Sequence, residues 1–148
     1  MAQARFTAER VIPAPVAQVY ALLADYRQGH PSILPPAFSG FTILEGGAGA
    51  GTRIRFTLTV MGRPRQMEGI VSEPEPGRVL AETYEDGSVT SFTLDQTAAG
   101  TRLRIETAWQ TRRGLAGIIE RLLIPRLLGP LYRDELDRID AWVRASLT

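Results

Sequence analysis

The hydrophobic period of this chain changes twice, and those two changes leave few folds open. From Phe38 onward apolar residues fall at alternate positions, and from about Gly114 they recur every third or fourth. Between the two points lie six short runs separated by turn residues. The clearest is Arg53 to Val60, where Ile54, Phe56, Leu58 and Val60 alternate with Arg53, Arg55, Thr57 and Thr59, as in a half-buried strand. Phe41 and Ile43 begin a run that ends at Glu45. Arg65 to Ser72, Arg78 to Glu85, Val89 to Asp95 and Thr101 to Trp109 complete the set. Gly62-Arg63-Pro64, Glu73 to Gly77, Asp86-Gly87 and Ala98-Ala99-Gly100 mark the turns. Strands joined so closely must run antiparallel, because a parallel pair needs a long crossover.

Upstream, Arg5 to Ile12 reads as one further strand. Pro13-Ala14-Pro15 breaks it, since the residue before a proline is pushed out of helical geometry. Val16, Val19, Tyr20, Leu22 and Leu23 then give Pro15 to Asp25 the spacing of an amphipathic helix. Gln28 to Pro36, with Gly29 and three prolines, has room for a short helical turn only. At the other end Ile118, Leu122, Leu128, Tyr132, Leu136, Ile139 and Val143 predict a long helix from about Gly114 to Leu147, kinked or split at Pro125 and Pro130. The expectation is one α+β domain over residues 1–148, with an antiparallel sheet of about seven strands. The long helix is the one element large enough to cover its apolar face.

Several chemistries are excluded by what is missing. There is no cysteine, lysine or asparagine, and all seventeen basic residues are arginine. Disulfides, thiolate nucleophiles, Schiff bases and a P-loop lysine are therefore out of reach. His30 is the sole histidine, so no multi-histidine metal site exists, and no cofactor is expected. A net charge of +1 gives no electrostatic reason to expect nucleic acid as a partner. Met1 to Arg10 lacks an apolar secretory core, and Glu120, Arg121, Pro125 and Arg126 interrupt Leu115 to Tyr132 as a membrane span. A cytoplasmic protein without integral membrane association is expected. Its oligomeric state is left open.

Three segments, in order, carry a family resemblance. Ile12-Pro13-Ala14-Pro15 leads into Val19 to Tyr26; a glycine-rich stretch runs from Glu45 to Thr52; Gly100-Thr101-Arg102-Leu103 opens the last strand before the long helix. The chain thereby resembles, over essentially its whole length, the START and polyketide-cyclase superfamily (SRPBCC). The resemblance implies a helix-grip fold: a curved sheet wrapped around the C-terminal helix, with a cavity between them for an apolar or aromatic small molecule. That superfamily has no universal catalytic motif, so it assigns no catalytic residue here.

Candidate chemistry rests on a few side chains. Gly46 to Gly51 looks like a dinucleotide fingerprint, but a strand follows where the fingerprint needs a helix, so a flexible hairpin near the cavity rim is expected. His30 is the one side chain that ordinarily titrates near neutrality. It is either a general base, with Asp25 or Tyr26 nearby, or a loop residue capping backbone groups. Strand Arg78 to Glu85 alternates ambiguously. If Leu80 and Tyr84 face the cavity, Glu82 does too, and could act as an acid or pair with Arg10; otherwise it is exposed, which is the default. Asp134, Asp137 and Asp140, interleaved with arginines, read as a solvated helix face rather than a metal site. The apolar run Leu115 to Leu131 is expected on the sheet, with lipid contact as the alternative.

The expected cavity wall is Phe56, Leu58, Phe92, Leu94, Ile105, Thr107 and Trp109 from the sheet, with Leu128, Tyr132 and Leu136 from the helix. If Phe92 borders a cavity, Phe92→Ala should cost about 1–2 kcal/mol, against about 3–5 in a close-packed core. The leading reading is a binder of a small hydrophobic or aromatic molecule. The second is a cyclase, aromatase or dehydratase moving protons with Glu82, Tyr84, Arg10 or His30. The third is a non-catalytic regulatory or lipid-contact module. Two or more ionisable groups within mutual reach in the cavity would favour the enzyme; a dry wall would favour binding.

Overall fold

The computed structural model describes residues 3–146. In chain order the elements are β1 (Gln3–Ile12), α1 (Val16–Ala24), α2 (Gly29–Ser32), β2 (Phe38–Glu45), β3 (Arg53–Val60), β4 (Arg63–Glu75), β5 (Val79–Tyr84), β6 (Val89–Thr97), β7 (Gly100–Gln110) and α3 (Leu115–Ala145). The strands form one curved seven-stranded sheet in the order β1-β7-β6-β5-β4-β3-β2, with every neighbouring pair antiparallel. β2 to β7 are a meander. β1 closes against β7, pairing Ile12 with Thr101 and Gln3 with Gln110. The result is an α+β helix-grip fold.

Strand parity decides which side chains go inside. Along β7, Thr101, Leu103, Ile105, Thr107 and Trp109 are buried while Arg102 and Arg104 face water. β6 buries Thr90, Phe92 and Leu94, and β3 buries Ile54 and Phe56. α1 contributes Val19, Tyr20, Leu22 and Leu23. α3 contributes Tyr132, Leu136, Ile139 and Val143, all on one helical face.

Four details differ from the sequence reading. β4 begins at Arg63, so Pro64 lies within the strand; the reversal is made by Met61 and Gly62, at φ 54° and 74°. Two successive positive φ values suit the right-handed twist of a tight hairpin. Secondly, α3 is not split: it runs continuously through Pro125 and Pro130. Each proline forfeits one helical hydrogen bond, and packing of the later turns carries the helix past that loss. Thirdly, the early half of α3 is not on the sheet: Leu115, Ile118, Ile119, Leu122 and Leu123 are exposed. Finally, the glycine stretch is tied down. Tyr26 N–H donates to the Gly47 carbonyl and Gly49 N–H to the Ala24 carbonyl, both at 2.9 Å. Gly46, Gly47, Gly49 and Gly51 all have positive φ, so these residues trace a tight path pinned to the end of α1.

Candidate functional site

Between sheet and helices the packing leaves a gap lined by rings and acidic groups. A space of about 30 Å³ opens there, room for one or two water molecules. α2 presents His30 to it, and Leu34 follows from the next loop. β2 gives Phe38 and Phe41, and β3 gives Ile54 and Phe56. β5 gives Glu82 and Tyr84, β6 gives Thr90 and Phe92, and α3 gives Tyr132 and Glu135. Apolar rings make most of the surface, and the polar groups are grouped on β5, α2 and α3.

Glu82 is the centre of the polar group. It is 4% exposed, so the inner face of β5 is the one carrying Leu80, Glu82 and Tyr84, and the default exposed placement is wrong. Its carboxylate does not pair with a cation on the sheet. Instead Tyr26 O–H donates to one oxygen at 2.7 Å and Tyr84 O–H to the other at 2.6 Å. Two hydroxyl donors stand in for the water that burial removes. The Tyr84 ring is able to lie there because it crosses Gly69 on β4; a β-carbon at Gly69 would sit 2.8 Å from that ring.

His30 is held from both sides. Its Nδ1 lies 2.8 Å from the Leu23 carbonyl, which can only accept, so Nδ1 carries the hydrogen. Nε2 then faces Glu82 at 3.6 Å. The imidazole stacks on Tyr26, with centroids 4.5 Å apart, and takes the Phe92 ring edge-on at 5.4 Å. The backbone-capping placement is present, with Nδ1 on the Leu23 carbonyl, and the other nitrogen points at a carboxylate. Asp25 is not the orienting partner of the imidazole. Its side chain accepts from the N–H groups of Arg27, Gln28 and Gly29, which fixes the turn into α2 and so places His30.

Glu135 is the second carboxyl, 3% exposed. None of the described residues donates a hydrogen bond to it, and no cation pairs with it. Desolvation pushes its pKa up to about 8, helped by the negative charges of Glu82 and Asp134. It therefore keeps its proton near neutral pH. Burial first, and then the Glu82 charge, hold the Tyr26 and Tyr84 phenols well above their ordinary range. Tyr132 is pushed up to about 12 by burial, while its hydroxyl joins a chain with Thr107, which in turn meets Thr90 at 2.8 Å.

Of the residues singled out from sequence, the structure brings together Glu82, Tyr84, His30, Phe56, Phe92 and Tyr132 at this space. Arg10 is elsewhere, ion-paired with Asp137 on α3. Leu94, Ile105 and Leu136 are buried in solid core, and Thr107 lies behind Tyr132. Leu58 and Leu128 are half-buried at the core margin, and Trp109 is buried near the end of β7, away from the space. Parity gives the face of a strand, but not the point along that face where packing gives way. Tyr26, named from sequence as a neighbour of His30, does stack on it, but its bond to Glu82 was not foreseen; Glu135 was missed, as were the rim residues Leu34, Phe38 and Phe41. Glu135 did carry a signal: it falls three after Tyr132 and four before Ile139, on the buried stripe. The neighbouring Asp134 and Asp137 disguised it as part of a charged face. Asp134 and Asp140 pair instead with Arg138 and Arg144, at 3.1 and 2.9 Å. Among the described residues no three His, Asp or Glu side chains gather as metal ligands.

Comparison with known proteins agrees with this architecture. Residues 3–144 match the family described as polyketide cyclase / dehydrase and lipid transport. The solution structure of the KanY protein is similar at 27% identity and a TM-score of 0.84, over 97% of this chain and 99% of that one. A protein of Thermus thermophilus is similar at 21% identity and 0.79, over 98% and 100%. The Zhui aromatase/cyclase from a Streptomyces species is similar at 19% identity and 0.78, over 99% and 97%. The last two are likenesses of fold. No curated protein matches the sequence.

Proposed function

The chain belongs to the polyketide cyclase / dehydrase and lipid transport family, and from that premise we propose that it binds a small aromatic or apolar molecule between sheet and α3. One observation carries the reading. Aromatic rings meet a buried polar group at this space, and a ligand pocket combines apolar walls with a few polar groups that set orientation. At about 30 Å³ the space does not hold a ring as it stands. The half-buried rim side chains Leu34, Phe38 and Phe41 must swing aside to admit one. Titration with the neutral fluorophore N-phenyl-1-naphthylamine tests this. A saturable one-site rise in emission, abolished by the plugging variant Leu34→Trp, is expected. No saturable binding by the folded parent protein would overturn it.

A specific observation also favours an enzymatic reading. Glu82, Glu135, His30 and the Tyr84 phenol share one pocket, with Tyr26 hydrogen-bonded to Glu82 behind it, and one carboxyl keeps its proton near another set up as an acceptor. That pairing suits general acid–base work on a carbonyl compound, of the cyclase or dehydratase kind. Its test is deuterium uptake at the carbon between the carbonyls of an aromatic β-diketone, followed by NMR. Acceleration by the parent protein and its loss in Glu135→Gln would support turnover; equal rates with and without protein would exclude it for this substrate type. For lipid contact, the supporting observation is the exposed run Leu115 to Leu123 beside the exposed Arg112, Arg113, Arg121 and Arg126. Co-sedimentation with anionic vesicles would show it. No helix among the described residues is long and apolar enough to cross a membrane.

A further inference from the structure

The hydrogen-bonding inventory of the pocket is lopsided. Its phenol donors are already spent: Tyr26 and Tyr84 both donate to Glu82. Two hydrogen bonds join the hydroxyls of Thr90, Thr107 and Tyr132 and use two of their three hydrogens. His30 has committed its Nδ1 hydrogen to Leu23, and its Nε2 is turned to Glu82. Spare acceptors, by contrast, remain. Glu82 has lone pairs beyond the two phenol bonds, and Glu135 takes no hydrogen bond from any described residue although it is 3% exposed and lines the space. No arginine lines the space. The surrounding rings of Phe41, Phe56, Tyr84 and Phe92 present either edges or faces, and the faces attract positive charge.

From this imbalance we propose that the pocket recognises an amine: a small aromatic or apolar molecule whose ammonium N–H groups are donated to Glu82 and Glu135. The inference rests on the ligand-binding reading above and adds the charge of the ligand's head group. A carboxylate or phosphate ligand would place an anion against two acidic side chains with no arginine to offset it. A neutral carbonyl would find only the proton of Glu135 and one hydroxyl hydrogen of the Thr90, Thr107 and Tyr132 chain, and would leave the carboxylate acceptors unserved. An ammonium supplies the donors that every free acceptor lacks. Because Glu135 holds its proton in the empty pocket, seating a cation beside it expels that proton: the ammonium and the neutral acid give the ion pair and one H⁺ released to solvent. The groups facing Glu135 that set this balance are Glu82 from β5, His30 from α2, Tyr26, and Asp134 and Tyr132 on α3 itself.

The test uses three probes of one shape and different charge: benzylammonium, benzyl alcohol and benzoate, titrated calorimetrically near neutral pH in two buffers of different ionisation enthalpy. Benzylammonium should bind about tenfold or more tighter than benzyl alcohol, and benzoate least. Its apparent heat should change with buffer, reporting a released proton. In Glu135→Gln the ammonium should lose about tenfold in affinity and the buffer dependence should vanish, and benzyl alcohol should lose less than the ammonium does. Equal or tighter binding of the alcohol or of benzoate overturns the amine assignment. So does failure of all three probes in a protein that still binds N-phenyl-1-naphthylamine. Failure of that neutral fluorophore as well would instead bring down the ligand-binding reading beneath it. Circular dichroism of the variant confirms that it is folded before either result is read.

Discussion

Glu135 has a carboxyl removed from bulk water, and no described residue donates a hydrogen bond to it. That has a consequence for stability whose sign can be worked out. Unfolded, the group titrates at its ordinary 4.5; folded, it is pushed up to about 8. Below the lower value both states hold the proton and nothing is lost. Between the two, unfolding releases a proton, so stability falls as pH rises; above the higher value both states are ionised and the full penalty stands. The parent protein should therefore lose stability relative to Glu135→Gln as pH rises from about 5 to about 8, and the gap should then level off. Denaturant unfolding at a series of pH values measures it, and a gap that stays constant would mean Glu135 is not buried as an acid. Glu82 is the opposite case, a buried carboxylate whose oxygens are both served. Tyr26→Phe and Tyr84→Phe should each cost about 1–3 kcal/mol, because each leaves an oxygen without its donor. The same scale settles Phe92. With only about 30 Å³ beside it and the His30 ring edge-on at 5.4 Å, Phe92 is packed like core. Phe92→Ala should cost about 3 kcal/mol or more by thermal unfolding, and a loss near 1 would reveal a larger cavity.

At the scale of elements, α3 divides into two halves with different jobs. Thirty-one residues make a helix about 46 Å long, whereas seven strands span about 30 Å across the sheet. One end has to overhang, and it is the early end. Leu122→Asp should then shift stability by no more than about 0.5 kcal/mol, while Leu136→Ala in the later half should cost about 2–5. Comparable losses at the two sites would contradict this division. The overhang was not legible in the sequence, since apolar spacing shows that a helix has an apolar side and says nothing of how far its partner extends. The strands were legible for the reverse reason. Ile54 and Phe56 alternate with arginine and threonine, and a strand buried on one side permits no other register. β5 fell between: Val79 and Ala81 are apolar on one face, Leu80 on the other, so composition alone left Glu82 undecided. Its placement follows from long-range facts, the donors Tyr26 and Tyr84 and the bare backbone at Gly69, which no local window contains.

For the whole molecule, the helix-grip fold follows from the two changes of period, and the pocket follows from where the grip is incomplete. α2, β2, β3, β5, β6 and α3 all reach that point, and each brings aromatic or acidic side chains to it. The same molecule carries a second apolar feature, the exposed early half of α3, so a bound probe has two places to go. Amide chemical-shift mapping of the isotope-labelled protein during titration with N-phenyl-1-naphthylamine separates them directly. The shifts should gather at His30, Phe41, Phe56, Glu82, Phe92 and Glu135 and leave Leu115 to Leu123 unmoved. Shifts confined to Leu115 through Leu123, or none anywhere at saturating probe, would contradict the claim that this protein holds its ligand between sheet and helix.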